Sequence, residues 1–404
     1  MKNKMKPKLL ALSLFATTAI GIAIFPSMQQ AQAITTLAAP VVTTIPLTQK
    51  HRIEVVFVLD TTSSMSGLIQ AAKEKIWSIA TTMASANQAP DIKMGLVAFR
   101  DRGDDYVTKV LDLSNDLDSM YAQLTDFKAQ GGGDGPESVN QALHEAITNV
   151  SWSKDSNVYR VAFLIGDAPP HMDYPNDVKY PATLALAKKN GIVVNTIQSG
   201  QNSSATPAWQ NIAALGNGEY FQVENSGNAV AVNTPFDQKL SELSASLEST
   251  RLYFGNEADK KIQKNKLDAS NKLHDELSVA ALARRATYNA TTSGKANFLG
   301  KGELVEAVTS GEISLDEIEA EQMPESMQAM APEEQLAVIE KQFKKRNQIK
   351  QEIAKLSQSR SQFIKEKVVE LGGVEDSLDA KIYSAVKEQA KSIGLAYESK
   401  DASY

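Results

Sequence analysis

Short apolar runs alternate with segments of helical spacing between residue 52 and about residue 223. The runs at 53–59 and 158–166 are apolar on both faces, which is typical of strands in the middle of a parallel sheet. The segment 68–79 instead places apolar residues three and four positions apart, as an amphipathic helix does. Further strands are predicted at 92–99, 106–111, 191–198 and 218–223, and further helices at 116–127, 136–150, 182–190 and 207–215. This alternation predicts an α/β fold with a doubly wound, mostly parallel sheet over residues 52–230.

The pattern changes near residue 235, where helical segments rich in Lys, Glu, Gln and Ala begin. We therefore predict a second, mainly α-helical domain at 235–404. Its clearest helix is at 332–371, where apolar residues recur at three- and four-residue steps. Arg346 and Arg360 interrupt this apolar seam, so a small bundle of amphipathic helices is favoured over a short coiled coil at 333–371.

The first segment has the layout of a secretory signal peptide. Four lysines between residues 2 and 8 precede an apolar run at 9–25, and Ala-Gln-Ala at 31–33 offers a cleavage site. The apolar run is short for a membrane span, and Pro26 interrupts it. We predict a signal peptide at 1–33 and a linker at 34–51. The expected location is the periplasm or the outside medium, with no stable membrane span after cleavage.

Composition narrows the class of protein further. The apolar content of 42% and the charged content of 22% are those of a folded chain, and the absence of cysteine excludes a disulfide framework. The formal net charge is −6, and removal of the four early lysines would make the chain more acidic. No region combines a basic patch with aromatic residues, so nucleic acid is not an expected partner.

Asp60 ends the first apolar run and is followed by hydroxyl residues, which raises three hypotheses for its role. A pepsin-like protease needs a second Asp-Thr-Gly, and the chain has none. A haloacid-dehalogenase-like phosphatase would use Asp60 as its nucleophile. That phosphatase needs a general acid two residues later, where Thr62 stands. A metal-assisted hydrolase of this kind therefore stays as the alternative function.

The third hypothesis is a metal-ion-dependent adhesion site (MIDAS), which takes oxygen ligands from three loops at one edge of a sheet. Asp60, Thr62 and Ser64 supply one carboxylate and two hydroxyls after the first strand. Asp134 lies in the glycine-rich loop 131–138, and Asp167 follows the fourth predicted strand, at 158–166. Parallel strands bring such loops to one edge. Hard oxygen ligands favour Mg²⁺, with Mn²⁺ and Ca²⁺ as alternatives.

Four ordered motifs carry a family resemblance. They are DTTSSM at 60–65, FRD at 99–101, GGGDGPE at 131–137 and DAPPH at 167–171. Together they resemble the bacterial branch of the von Willebrand factor type A domain, whose fold is a Rossmann-like sheet. The resemblance implies a protein-binding module without enzymatic turnover, which holds an acidic side chain of its partner through the metal. A structural envelope protein, in which the metal only stabilises the fold, is the other alternative.

Asp134 departs from the family pattern, because many members have threonine there. A direct carboxylate ligand would neutralise part of the metal charge and weaken its attraction for an acidic partner. Either Asp134 binds through water or the metal mainly braces the loops. The adaptable glycines 131–133 favour the first alternative.

Other charged residues lie near the predicted metal edge. Arg100, Asp101, His171 and Asp173 are candidate contacts with a partner. For the first two a structural ion pair is favoured, and for the last two a solvated loop position. Glu137 is expected to stabilise the start of its helix. The sequence predicts no oligomeric state.

Overall fold

The computed structural model describes residues 50–133, 135–227, 232–370 and 377–398. The predicted signal peptide, almost all of the linker at 34–51 and Asp134 lie outside these ranges. The predictions about them therefore stay predictions. Within the described ranges, none of the helices combines the length and the apolar character that a membrane crossing requires.

Six strands form one mixed sheet, as predicted. They are β1 Arg52–Asp60, β2 Asp91–Phe99, β3 Thr108–Ser114, β4 Val158–Gly166, β5 Ile192–Ser199 and β6 Asn217–Val223. Their order across the sheet is β3-β2-β1-β4-β5-β6, and only β3 runs antiparallel to its neighbour. Because β1 and β4 are adjacent and parallel, the loops that follow them leave the same edge of the sheet.

Five helices connect these strands. They are α1 Ser66–Ala84, α2 Leu117–Leu124, α3 Val139–Thr148, α4 Tyr180–Lys189 and α5 Thr206–Leu215. Alternate residues of β1 point to opposite faces, so that Phe57 packs with α1 and α2 while Val58 packs with α3, α4 and α5. Trp77 and Trp209 are fully buried, one on each face. The doubly wound architecture is thus confirmed.

The C-terminal region is mainly helical, also as predicted. Its helices are α6 Asp237–Glu248, α7 Glu257–Glu276, α8 Val279–Ala290, α9 Lys295–Leu299, α10 Leu304–Thr309, α11 Pro332–Glu370 and α12 Leu378–Gln389. The long helix α11 packs against α6, α8 and α10. These contacts correspond to the bundle of amphipathic helices that the sequence favours over a short coiled coil at 333–371.

Two arginines expected to interrupt the apolar seam of α11 are in fact buried within it. Arg346 forms two hydrogen bonds with the carboxylate of Glu303, at 2.7 and 3.0 Å. Arg360 donates to Asp237 at 2.7 Å. A buried arginine is tolerated when a carboxylate on a neighbouring segment satisfies it. The seam therefore continues through both positions as buried ion pairs.

The sheet and the helical region share one hydrophobic core. The helix α12 packs against α1, and a buried ion pair joins Lys75 to Asp379 at 3.0 Å. On the same face, the ring of Trp77 contacts Tyr121 of α2 and Tyr288 of α8. The sequence pattern changes near residue 235, but the hydrophobic core continues from the sheet into the helical region.

A buried charge cluster joins α2 to the helices α7 and α8. Asp118 is fully buried and accepts hydrogen bonds from Arg285 at 2.6 and 2.7 Å and from Lys266 at 3.3 Å. Burial alone would raise the pKa of Asp118, but the charges of Arg285 and Lys266 outweigh it and hold that pKa well below its usual range. These contacts fix α7 and α8 against α2, on the face of the sheet that α1 and α2 cover.

Candidate metal centre

The first loop of the site follows β1 and is organised around the carboxylate of Asp60. The backbone N–H and the hydroxyl of Thr62 both donate to Asp60 Oδ1, at 2.9 and 2.6 Å. The hydroxyl oxygens of Thr62 and Ser64 lie 3.3 Å apart. Asp60 and Thr62 are buried whereas Ser64 is exposed. The three predicted ligands of this loop thus lie side by side, and Ser64 is on the solvent side.

The loop after β4 approaches Asp60 closely because Gly166 has no side chain. A Cβ atom at Gly166 would lie 3.1 Å from Cβ and Oδ2 of Asp60. The next residue, Asp167, is half-buried, and its backbone carbonyl accepts a hydrogen bond from Asn202 at 3.0 Å. The structure therefore brings Asp167 to the edge where Asp60 lies, as the strand pattern predicts.

The glycine-rich loop lies directly on the first loop. Gly131 O accepts hydrogen bonds from the backbone N–H and the hydroxyl of Ser63, at 3.2 and 2.8 Å. Gly132 has a φ of 80°, and a Cβ atom there would lie 3.2 Å from Cβ of Thr62 and 3.3 Å from Oε1 of Glu137. Glycine is needed at this position for both reasons. Asp134 follows in the same loop, but its role as a ligand remains a prediction.

Glu137 is a buried carboxylate of this site, and the sequence interpretation of it was wrong. It precedes the N-cap Ser138 of α3, so it is not in the first turn of the helix. Its backbone is instead paired with the loop after β4, since its N–H donates to Pro169 O at 3.0 Å and its carbonyl accepts from His171 N at 3.1 Å. Its side chain points toward Gly132, and Oε2 is buried without a hydrogen-bond partner among the described residues.

The buried carboxylates of the site repel one another. Burial, opposed by the hydrogen bonds from Thr62, raises the pKa of Asp60 to about 7, and the charge of Asp167 adds to the rise while Arg100 reduces it. Burial, with the nearby aspartates including Asp60 and Asp167, raises the pKa of Glu137 to about 9. Oδ2 of Asp60 is buried and has no hydrogen-bond partner in the described part of the chain. Ionising either carboxylate in the folded chain therefore costs free energy. A bound cation would offset that cost.

Arg100 and Asp101 have structural contacts within the domain. The buried guanidinium of Arg100 donates to Lys128 O at 2.8 Å and lies 3.8 Å from the carboxylate of Asp105. Asp101 accepts hydrogen bonds from the hydroxyls of Ser138 and Tyr174, both at 2.7 Å. The favoured ion pair therefore exists for Arg100, although its partner is Asp105. Asp101 instead ties the start of α3 to the loop that follows β4.

His171 and Asp173 differ in their surroundings. His171 is buried, its ring is stacked on Tyr174 with the centroids 4.0 Å apart, and its Nε2 lies 3.5 Å from Asp101. Its Nδ1 lies 2.8 Å from Asp173, whose side chain is 73% exposed. The expected solvated position is thus found for Asp173, but it was wrong for His171, because the Tyr174 ring covers the imidazole.

A sequence model described as the von Willebrand factor A domain matches residues 54–233, which include both loops that meet at Asp60 and Asp167. Residues 54–233 are a von Willebrand factor A (VWA) domain. Among solved structures, proximal thread matrix protein 1 from the mussel byssus, in crystal form 2, matches with a TM-score of 0.35 at 16% identity, over 44% of this chain and 42% of that chain.

Two further structures are similar to the VWA domain at low identity. The same mussel protein with a zinc occupied MIDAS motif matches with a TM-score of 0.34 at 19% identity, over 43% of this chain and 41% of that chain. The SpRpn10 VWA domain matches with a TM-score of 0.34 at 14% identity, over 46% of this chain and 100% of that chain. The match to this chain thus covers about two fifths of the length of the mussel chains. No curated protein is significantly similar to it.

The donor set of this VWA domain fits a hard divalent cation. In the described ranges, no three His, Asp or Glu side chains are grouped as a metal site by themselves. A cation would therefore depend on the hydroxyls of Thr62 and Ser64 together with the carboxylates of Asp60 and Asp167. The unpartnered Oδ2 of Asp60 is the buried atom that such an ion would satisfy. All of these donors are oxygens, which is the set that Mg²⁺, Mn²⁺ and Ca²⁺ prefer.

Glu137 was the residue that sequence reasoning missed at this VWA site. The available signal was its position at the end of the GGGDGPE motif, in the same loop as Asp134. Its place before a helix supported the simpler dipole interpretation. The burial of Glu137 and the approach of its Oε1 to Gly132 show that the carboxylate faces inward.

Proposed function

We propose that this protein is a metal-dependent binding module, which holds a protein partner through a divalent cation at its VWA domain. The observation that carries the proposal is the environment of Asp60. Its Oδ1 accepts two hydrogen bonds from Thr62, while its buried Oδ2 is left without a partner among the described residues. Asp60, Thr62, Ser64 and Asp167 would hold the ion, with Mg²⁺ as the first choice and Mn²⁺ or Ca²⁺ as alternatives.

The partner is proposed to bind through an acidic side chain. Ser64 is exposed beside the buried pair of Asp60 and Thr62, so the ion would face solvent on that side. A cation with two carboxylate ligands keeps its attraction for one further carboxylate, since hard cations select oxygen anions. A third direct carboxylate, from Glu137 or Asp134, would reduce this attraction. We propose that Asp134 acts through water, so that the site recruits a partner and does not merely brace its loops.

We also propose that the site binds without turnover. Thr62 stands where a phosphatase of the alternative class would need a general acid, and its hydroxyl is hydrogen-bonded to Asp60 at 2.6 Å. Action outside the cytoplasm, in the cell envelope or the medium, is proposed on the layout of residues 1–33 alone.

Mn²⁺ can serve as the probe that distinguishes two kinds of site. In a recruiting site the metal binds an acidic side chain of a partner, and in a bracing site it only holds the loops together. Water-proton relaxation of the Mn²⁺-loaded chain reports water molecules that exchange on the bound ion. A recruiting site predicts strong relaxation enhancement that falls when acetate is added, because the carboxylate displaces water. Enhancement that acetate leaves unchanged would reject recruitment of an acidic partner. Turnover of p-nitrophenyl phosphate that Asp60→Asn abolishes would reject the binding module altogether.

A further inference from the structure

An open groove lies in the helical region, between the segment that follows α10 and the first turns of α11. Its volume is about 750 Å³. Its lining is mostly apolar and includes Val308, Ile313, Leu315, Ile318, Met330 and Leu336. Leu336 is 44% exposed, which is unusual for a large apolar side chain at the edge of a packed cluster.

Packed side chains beneath the groove fix the segments that form its walls. Beneath it a buried cluster contains Leu304, Val305, Met327 and Ile339 among others. Buried Gln335 donates from its amide to Met327 O at 3.0 Å, which ties α11 to the preceding segment. The apolar surface is therefore formed before any partner binds, and binding would not require it to fold first.

The border of the groove is strongly acidic. No Lys or Arg occurs between Lys301 and Lys341, whereas that stretch contains eleven Asp and Glu residues. Nine of them are exposed, and eight of these nine lie between Gly311 and Leu336: Glu312, Asp316, Glu317, Glu319, Glu321, Glu325, Glu333 and Glu334. Within the described part of the chain, none of these eight carboxylates has an ion pair with Lys or Arg. Asp316 and Glu333 line the groove itself.

We propose that this groove binds an amphipathic, basic helix of a protein partner. A helix in an apolar groove inserts side chains spaced three, four and seven residues apart. Lysines and arginines on its flanks would meet the unpaired carboxylates, which steer encounter and exclude acidic segments. Met330, which is half-buried at the groove, gives it a flexible side chain that can adapt to different apolar anchors. Both the apolar lining and the charge of the border thus select the same partner chemistry.

The test uses a fluorescein-labelled helical peptide of leucine and lysine, about 18 residues long, with its leucines on one face. A scrambled peptide of the same composition controls for charge alone. Fluorescence anisotropy with the purified chain is expected to show binding of the amphipathic peptide at least about tenfold tighter than that of the scrambled one. Equal binding of the two peptides would overturn the proposal.

Protein variants locate the binding. The double variant Leu336→Gln with Met330→Gln removes apolar lining, and we expect about tenfold weaker peptide binding. Ile262→Gln is the matched control, because Ile262 is 50% exposed on α7 and does not line the groove. The charge variant Asp316→Asn with Glu333→Gln should also weaken binding. Unchanged affinity in the Leu336 and Met330 variant, at an unchanged unfolding midpoint, would overturn the proposal.

A second copy of the chain is the competing occupant. The helix α11 carries Lys341, Lys344 and Lys345 just beyond Leu336, so one copy offers basic residues to another. Sedimentation of the chain alone is expected to show the same mass for wild type and Leu336→Gln. A dimer that Leu336→Gln dissociates would assign the groove to self-association and overturn the proposal for a separate partner.

Discussion

Thr62 donates both its backbone N–H and its hydroxyl to Oδ1 of Asp60, at 2.9 and 2.6 Å, and these bonds fix the carboxylate at the end of β1. The other oxygen of the same carboxylate is buried without a partner in the described ranges. The side chain of Asp60 is thus fixed in orientation by its Oδ1, while its Oδ2 has no hydrogen bond among the described residues. This is the arrangement expected of a ligand that the protein positions before a metal arrives.

The metal-free chain should lose stability as the pH rises. The folded-state pKa values of Asp60, about 7, and Glu137, about 9, lie above the ordinary values of 3.8 and 4.5. Between the ordinary and the raised value, the folded state holds more protons than the unfolded state. Its free energy of unfolding therefore falls with increasing pH. The fall is at most about 1.4 kcal/mol for each unit by which folding raises the pKa of a group.

Urea unfolding of the chelator-treated chain from about pH 5 to about pH 9 measures this slope. Glu137→Gln removes one of the two groups, so its stability should fall less steeply over this range than that of wild type. The same slope in both chains would contradict the raised pKa of Glu137.

Glu137 is predicted to contribute to metal affinity. Its carboxylate lies beside Gly132 and Thr62 and is close enough to Asp60 for their charges to interact. Glu137→Gln should weaken binding of Mg²⁺ by at least about tenfold, since even outer contacts of metal sites have effects of this size. Asp173→Asn removes an exposed carboxylate of the same edge and should leave the affinity unchanged. Equal affinities for wild type and Glu137→Gln would exclude Glu137 from the site.

Gly132→Ala is predicted to disturb the site through the backbone. The φ of 80° costs a residue with a side chain about 1–2 kcal/mol, and the added methyl would press on Thr62 and Glu137. Both the unfolding free energy and the metal affinity should fall. Gly133→Ala is the matched control, because a Cβ atom at Gly133 meets nothing within 4 Å. The idea fails if both variants behave alike in urea unfolding and calorimetry.

The buried pair of Lys75 and Asp379 should fix α12 on the VWA domain. Asp379→Ala leaves a lysine that is 1% exposed without this carboxylate, and we expect a loss of about 3–5 kcal/mol. The double variant Lys75→Met with Asp379→Leu should recover most of this loss, because two apolar side chains can replace a buried ion pair. Urea unfolding measures both. Wild-type stability in Asp379→Ala would show that this ion pair does not stabilise the packing of α12.

The strands and the first loops could be predicted because their signals are local. Asp60 and Asp167 each end an apolar run, and parallel strands bring their carboxyl ends to one edge. Lys75 and Asp379 are 304 residues apart in sequence, and no local pattern indicates their contact. The burial of His171 depends on the ring of nearby Tyr174, whose position in an irregular loop follows from no strand or helix period.

Arg346 shows the same limit in the helical region. In a periodicity analysis an arginine interrupts an apolar seam, because the pattern does not include the carboxylate of Glu303 on another segment. Local spacing thus predicts which residues share a face. It does not predict which distant side chain will neutralise a buried charge.

Isothermal titration calorimetry of the chelator-treated chain with Mg²⁺, Mn²⁺ and Ca²⁺ tests the metal site most directly. Wild type should bind one ion, Asp60→Asn and Asp167→Ala should bind at least about tenfold more weakly, and the control Asp155→Ala, at an exposed carboxylate, should match wild type. Binding of none of the three ions by wild type, or wild-type affinity in Asp167→Ala, would contradict the site.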